Sequence, residues 1–109
     1  MVKSKREIKK TIESYIQNVR KIINVEKVYL FGSYSKGKPN KWSDIDLAVV
    51  SKDFDYMNEY IAMVILSKLK SEVDYSIEAI PLKPSDLKKP PLGSIQYSIA
   101  KHGKLVYKL

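Results

Sequence analysis

Two aspartates one residue apart, Asp44 and Asp46, open the apolar run Asp-Ile-Asp-Leu-Ala-Val-Val at residues 44–50. On a β-strand, positions i and i+2 point to the same face, so the two carboxylates share a side while Ile45, Leu47 and Val49 point the other way. Two like charges two steps of ~3.3 Å apart repel each other unless a cation compensates them. Mg²⁺ takes oxygen ligands, keeps several waters, and binds through a few carboxylates together with substrate phosphates. A pair of such ions about 3.5–4 Å apart can hold both the attacking and the leaving oxygen of a phosphoryl transfer. A third carboxylate is available in Val-Asp-Tyr-Ser-Ile-Glu-Ala-Ile at residues 73–80, where apolar and polar residues alternate as on a half-buried strand. Asp74 and Glu78 share the polar side of that pattern. If this strand pairs beside 44–50, either one completes a three-acid metal site. The two stand about 13 Å apart at ~3.3 Å per residue, so both cannot meet one ion.

Ahead of the aspartates, the apolar run Lys-Val-Tyr-Leu-Phe (27–31) ends on Gly32-Ser33, and residues 34–43 separate this pair from Asp44. A phosphate chain approaching a strand end needs backbone without a side chain in the way, which favours glycine. A serine hydroxyl and exposed N–H groups can then donate to phosphate oxygens. The conjunction is more specific than its parts: apolar strand, Gly-Ser, ten residues, Asp-Ile-Asp opening a second apolar strand, then an acidic half-buried strand. His102, the one histidine, sits at a helix end and reads as a residue favoured by the helix dipole. Trp42 reads as an anchor for the loop, and the eight tyrosines are too dispersed to form a stacking platform.

The elements that must position these residues can be read from periodicity. Ile8, Ile12, Tyr15, Ile16, Val19, Ile22 and Ile23 form one apolar stripe, predicting a helix over 4–23 with Ser4 as its cap. Residues 27–31 suit a short central strand covered on both faces. Residues 34–43, with Gly37, Pro39, Asn40 and two serines, form a loop. A second helix is predicted over 54–70, with Met57, Ile61, Val64, Ile65 and Leu69 inward. Residues 81–93 hold four of the five prolines and read as an extended connection. Residues 93–103 then form a short helix stopped by Gly103, and 104–108 a last strand on a sheet edge.

The 109 residues make one domain, 1–109, of ordinary globular composition, 44% hydrophobic and 29% charged. Without cysteine, a disulfide scaffold and a thiolate zinc site are excluded. No stretch approaches the ~18 apolar residues of a membrane span. The basic start, Met-Val-Lys-Ser-Lys-Arg, lacks an apolar signal region, so the expected location is cytoplasmic, with no membrane partner. Net charge is +8, from 20 Lys+Arg against 12 Asp+Glu. That balance leaves a polyanionic partner, nucleic acid included, open. The clusters Lys3–Lys10 and Lys83–Lys89 are short, however, and no RNA-binding aromatic signature accompanies them.

Residues 30–50, Leu-Phe-Gly-Ser-Tyr-Ser-Lys-Gly-Lys-Pro-Asn-Lys-Trp-Ser-Asp-Ile-Asp-Leu-Ala-Val-Val, resemble the signature of the DNA polymerase β-like nucleotidyltransferase superfamily. Within it, the likeness is closest to the minimal nucleotidyltransferases, and it runs from the leading helix to His-Gly-Lys-Leu-Val-Tyr at 102–107. The resemblance implies an α/β (α+β) fold: a small mixed sheet with helices on one face and the metal–nucleotide site on the other. It implies that Gly32 and Ser33 contact the nucleoside triphosphate, that Asp44 and Asp46 take two Mg²⁺ ions, and that a third acid assists. Relatives with Val-Asp-Leu-Val after the second helix favour Asp74 as that acid, whereas spacing to the C-terminal motif favours Glu78. Family members often carry Gly-Ser-Arg-x-Arg-Gly. Here Tyr34 and Lys36 stand at the arginine places, and Lys36 can still meet a phosphate as a point charge, without the planar fork. The implied activity is transfer of AMP from ATP to a hydroxyl, and the implied partner is a helical HEPN-type ribonuclease toxin. From another class, the rival reading is a non-catalytic module that binds such a partner through its surface.

Overall fold

The computed structural model describes residues 4–32 and 44–109. Helix α1 spans Lys5–Arg20, and its start is capped by Ser4. The Ser4 hydroxyl accepts from Glu7 N and the Glu7 carboxylate accepts from Ser4 N, both at 3.1 Å, which is a capping box. Ile8, Ile12, Tyr15, Ile16 and Val19 are buried, as the stripe predicts. The helix stops short of the predicted end. Ile23 is still buried, from the connection that follows, while Ile22 is 61% exposed.

Strands β1 (Lys27–Phe31), β2 (Ile45–Val50), β3 (Ile77–Leu82) and β4 (Lys104–Lys108) form one sheet in the order β3-β2-β1-β4. β1 pairs antiparallel with β2 and β4, and β2 pairs parallel with β3. The sheet is therefore mixed, β1 is interior, and β4 lies on an edge, as expected. The parallel pairing needs a crossover, supplied by a 3-10 turn (Lys52–Tyr56) and helix α2 (Glu59–Lys70).

Three sequence expectations are corrected here. The second helix does not run 54–70. The Asn58 side chain accepts from Ile61 N at 2.8 Å and restarts the chain as α2. That restart rotates the inner face: Ala62, Leu66 and Leu69 are buried, while Ile61 is 47% exposed. The third strand does not begin at Val73. Ser76 donates from both N (2.8 Å) and Oγ (2.6 Å) to Asp74 Oδ1, closing a turn before the ladder starts. Tyr75 is accordingly 78% exposed rather than packed beside Ile77. The proline-rich stretch is not all extended connection either. β3 continues through Pro81 to Leu82, which an edge strand tolerates because one side of its backbone has no neighbour to donate to.

The main core lies between one sheet face and helices α1 and α2, with Ile45, Leu47, Val49, Ile77, Val28 and Leu30 contributed by the strands. Tyr15 ties the two helices together, its hydroxyl donating to Leu66 O at 2.8 Å. A smaller cluster on the opposite face joins Ala48, Val50 and Leu82 to Ile99 of helix α3 (Ile95–His102). Gly103 ends α3 with φ −64°, not in the left-handed region. Its role is space, since its N donates to Ile99 O at 2.8 Å and a Cβ would collide with that carbonyl.

Candidate active site

The two buried clusters define where a site can form. Odd positions of β2 (Ile45, Leu47, Val49) face α1 and α2, so Asp46 faces the other side with Ala48 and Val50. On that side Ile99 of α3 covers Ala48 and Val50, toward the C-terminal end of β2. Asp46, near its start, stays part exposed. The parallel register sets Asp46 directly opposite Glu78 on β3, at the ~4.8 Å spacing of neighbouring strands. Asp44 precedes β2 and is exposed, and Ile45 N donates to Ser76 O at 2.8 Å, holding the start of β2 against the start of β3. β1, antiparallel to β2, ends at Phe31 opposite Asp46, so Gly32 arrives at the same place. There Gly32 adopts φ +75°, a conformation that L side chains rarely take.

Gly32, Asp44, Asp46 and Glu78 therefore converge at one end of the sheet. Asp74 does not join them, because its carboxylate serves the turn before β3. The pattern of residues 73–80 could not separate Asp74 from Glu78, since it hides the turn at Asp74–Ser76. Ser33, Lys36, Tyr34 and Trp42 lie outside the described residues. His102 is exposed in the last turn of α3, as expected of a residue at a helix end.

Electrostatics at this sheet end are those of like charges brought together. Burial, then the negative charges of Asp44 and Glu78, push the Asp46 carboxyl above its ordinary value. The donor set is all carboxylate oxygen, which suits a hard cation such as Mg²⁺. As the side chains stand, no three acidic or histidine groups among the described residues are placed to hold an ion. Glu78 Oε1 instead meets Lys70 Nζ, at the end of α2, at 3.3 Å. Lys70 carried no signal in the sequence. It is one of two basic residues in the last turn of α2, and the fold brings it to Glu78.

Comparison with known proteins agrees with this fold. Residues 7–109 match the family described as Polymerase beta, Nucleotidyltransferase. A stretch of 62 residues, 57% of this chain, is 34% identical to the protein adenylyltransferase MntA of Shewanella oneidensis and spans 43% of that protein's length. A candidate nucleotidyltransferase from Sulfolobus solfataricus has the same fold, with TM-score 0.72 over 99% of this chain and 92% of that one, at 24% identity. A toxin-antitoxin crystal structure with AMP-PNP matches at TM-score 0.62 and 29% identity, over 93% of this chain and 73% of that one. The described residues contain no helix long and apolar enough to cross a membrane. With its mixed four-stranded sheet, its two carboxylates in register and a family match over nearly its whole length, this chain belongs to the polymerase β nucleotidyltransferase family, of the minimal type.

Proposed function

We propose that this protein transfers a nucleoside monophosphate, AMP from ATP, to a hydroxyl of a partner protein, and that the partner is a helical HEPN-type toxin that it restrains. The observation that carries the reading is the register of Asp46 against Glu78, with Asp44 and the left-handed Gly32 at the same sheet end. The likeness to a protein adenylyltransferase and to a toxin-antitoxin structure with AMP-PNP supports the choice of nucleotide and partner.

In this reading Asp44, Asp46 and Glu78 would hold Mg²⁺, and Gly32, Ser33 and Lys36 would bind the triphosphate. Mg²⁺, when bound, supplies charge neutralisation at the phosphates. The acceptor oxygen attacks the α-phosphorus, the bond to the bridging oxygen of the β-phosphate breaks, and pyrophosphate leaves. A carboxylate of the cluster takes the hydroxyl proton. Positioning and charge compensation are most of what such a transfer asks of a protein. The basic stretches Lys3 to Lys10 and Lys83 to Lys89 give the chain positive charge that steers an acidic neighbour.

The test is co-purification with the product of the adjacent gene, then intact mass after incubation with Mg²⁺ and ATP. The expected result is a gain of one or more AMP masses on the partner, absent with Asp46→Ala. A complex that forms equally well and never gains mass with any nucleotide would favour a binding module without catalysis.

A further inference from the structure

Lys70 makes an ion pair with Glu78 of the acid cluster, and its position is built rather than incidental. Its side chain is 17% exposed, against 56% for the Glu78 side chain it meets. Its carbonyl accepts from Val73 N at 2.9 Å and Asp74 N at 2.8 Å, so the turn leading into β3 pins the backbone at the end of α2. The C-terminal end of a helix favours a positive charge. Beside it, Lys70 and Glu78 line an open cleft of about 300 Å³ between α2 and β3, with Ser67 and Ala79 in its wall.

Glu78 thus has two claims on it. By register it belongs beside Asp46. By its ion pair it is drawn to Lys70, and among the described residues no three acids close around one point. An ammonium is a compact charge with three donors, able to satisfy one carboxylate but unable to gather several as a divalent ion does.

We propose that Lys70 is a built-in counter-ion that competes with the divalent cation for Glu78, so that the third carboxylate joins Asp44 and Asp46 only when a cation displaces the ammonium. This rests on the reading of the three carboxylates as a cation site. Lys70 is a positioning residue: it acts on the site through Glu78. Its presence lowers cation affinity in the resting protein and keeps the acid cluster from standing wholly uncompensated.

The experiment is calorimetric titration of the full chain with Mn²⁺, without nucleotide, for wild type, Lys70→Met, Lys70→Arg, Glu78→Gln, Lys70→Met/Glu78→Gln and Asp46→Asn. Circular dichroism checks each fold, and Lys70→Gln replaces Lys70→Met by the same criteria if the latter misfolds. Lys70→Met should bind Mn²⁺ about two- to fivefold more tightly, the range a half-exposed ion pair allows. Lys70→Arg, which keeps the charge, should stay near wild type. In the Glu78→Gln background, removing Lys70 should change affinity much less. Unchanged or weaker binding in Lys70→Met, or a gain undiminished without Glu78, overturns the proposal while leaving the cation site standing. Mn²⁺ binding that Asp46→Asn does not weaken removes the cation site itself, and this proposal with it.

Discussion

The absent side chain of Gly32 leaves the space that the Asp46 carboxylate occupies. A Cβ placed on Gly32 would overlap Asp46 Oδ2 and lie 3.1 Å from its Cγ. The glycine at the end of β1 is therefore required twice, for its positive φ and for the acid packed against it. Gly32→Ala should lose about 1–2 kcal/mol from the left-handed backbone alone. It should also lower transfer, because Asp46 must move. Urea unfolding and label transfer from α-labelled ATP measure the two effects separately.

Asp46 makes stability depend on pH in a stated direction. Its folded-state pKa lies above the unfolded value, because burial and the charges of Asp44 and Glu78 disfavour its charged form. Between the two values the folded chain binds a proton that the unfolded chain does not. The contribution to stability is thus full below the ordinary carboxylate value and is lost as pH rises through the raised one. Asp46→Asn has no charge to bury, so it should flatten this decline and melt higher than wild type at neutral pH, while transfer falls to background. Melting curves across an acid-to-neutral series, without divalent cation, provide the check.

The two acids of residues 73–80 should separate cleanly. Glu78→Gln should lower transfer on the order of a hundredfold, the upper range for a residue that supports a bound metal, with little loss of stability. Asp74→Asn should do the reverse. It weakens the bonds from Ser76 N and Oγ, worth about 0.5–1.5 kcal/mol each, and leaves the Asp46–Glu78 register in place. Equal activity losses in both variants would contradict the placement of Asp74 in the turn.

Tyr15→Phe isolates the support of the fold from the site. The Tyr15 hydroxyl is buried, which raises its pKa well above the usual tyrosine range, and it donates to Leu66 O across the two helices. Removing it leaves a buried carbonyl without that partner, at a cost of about 1–3 kcal/mol. Specific transfer activity of the folded protein at low temperature should stay close to wild type.

The main elements and half of the candidate site were legible in the sequence, because both depend on short-range regularities. Strand period alone puts Asp44 and Asp46 on one face and Ile45, Leu47 and Val49 on the other. The isoleucine stripe of α1 and the Ser4 cap are properties of a single turn or two of chain. What failed were places where a polar side chain overrides the periodic signal: Asn58 restarting α2 on a rotated face, and Asp74 folding the start of an apparent strand into a turn with Ser76. Setting Glu78 rather than Asp74 beside Asp46 needed the register of β2 against β3, and register is fixed by packing between segments some thirty residues apart, not within either one. The same holds for Gly32 against Asp46 and for Lys70 against Glu78. Each joins residues from different elements, and a sequence records the types of such residues without recording which of them will touch.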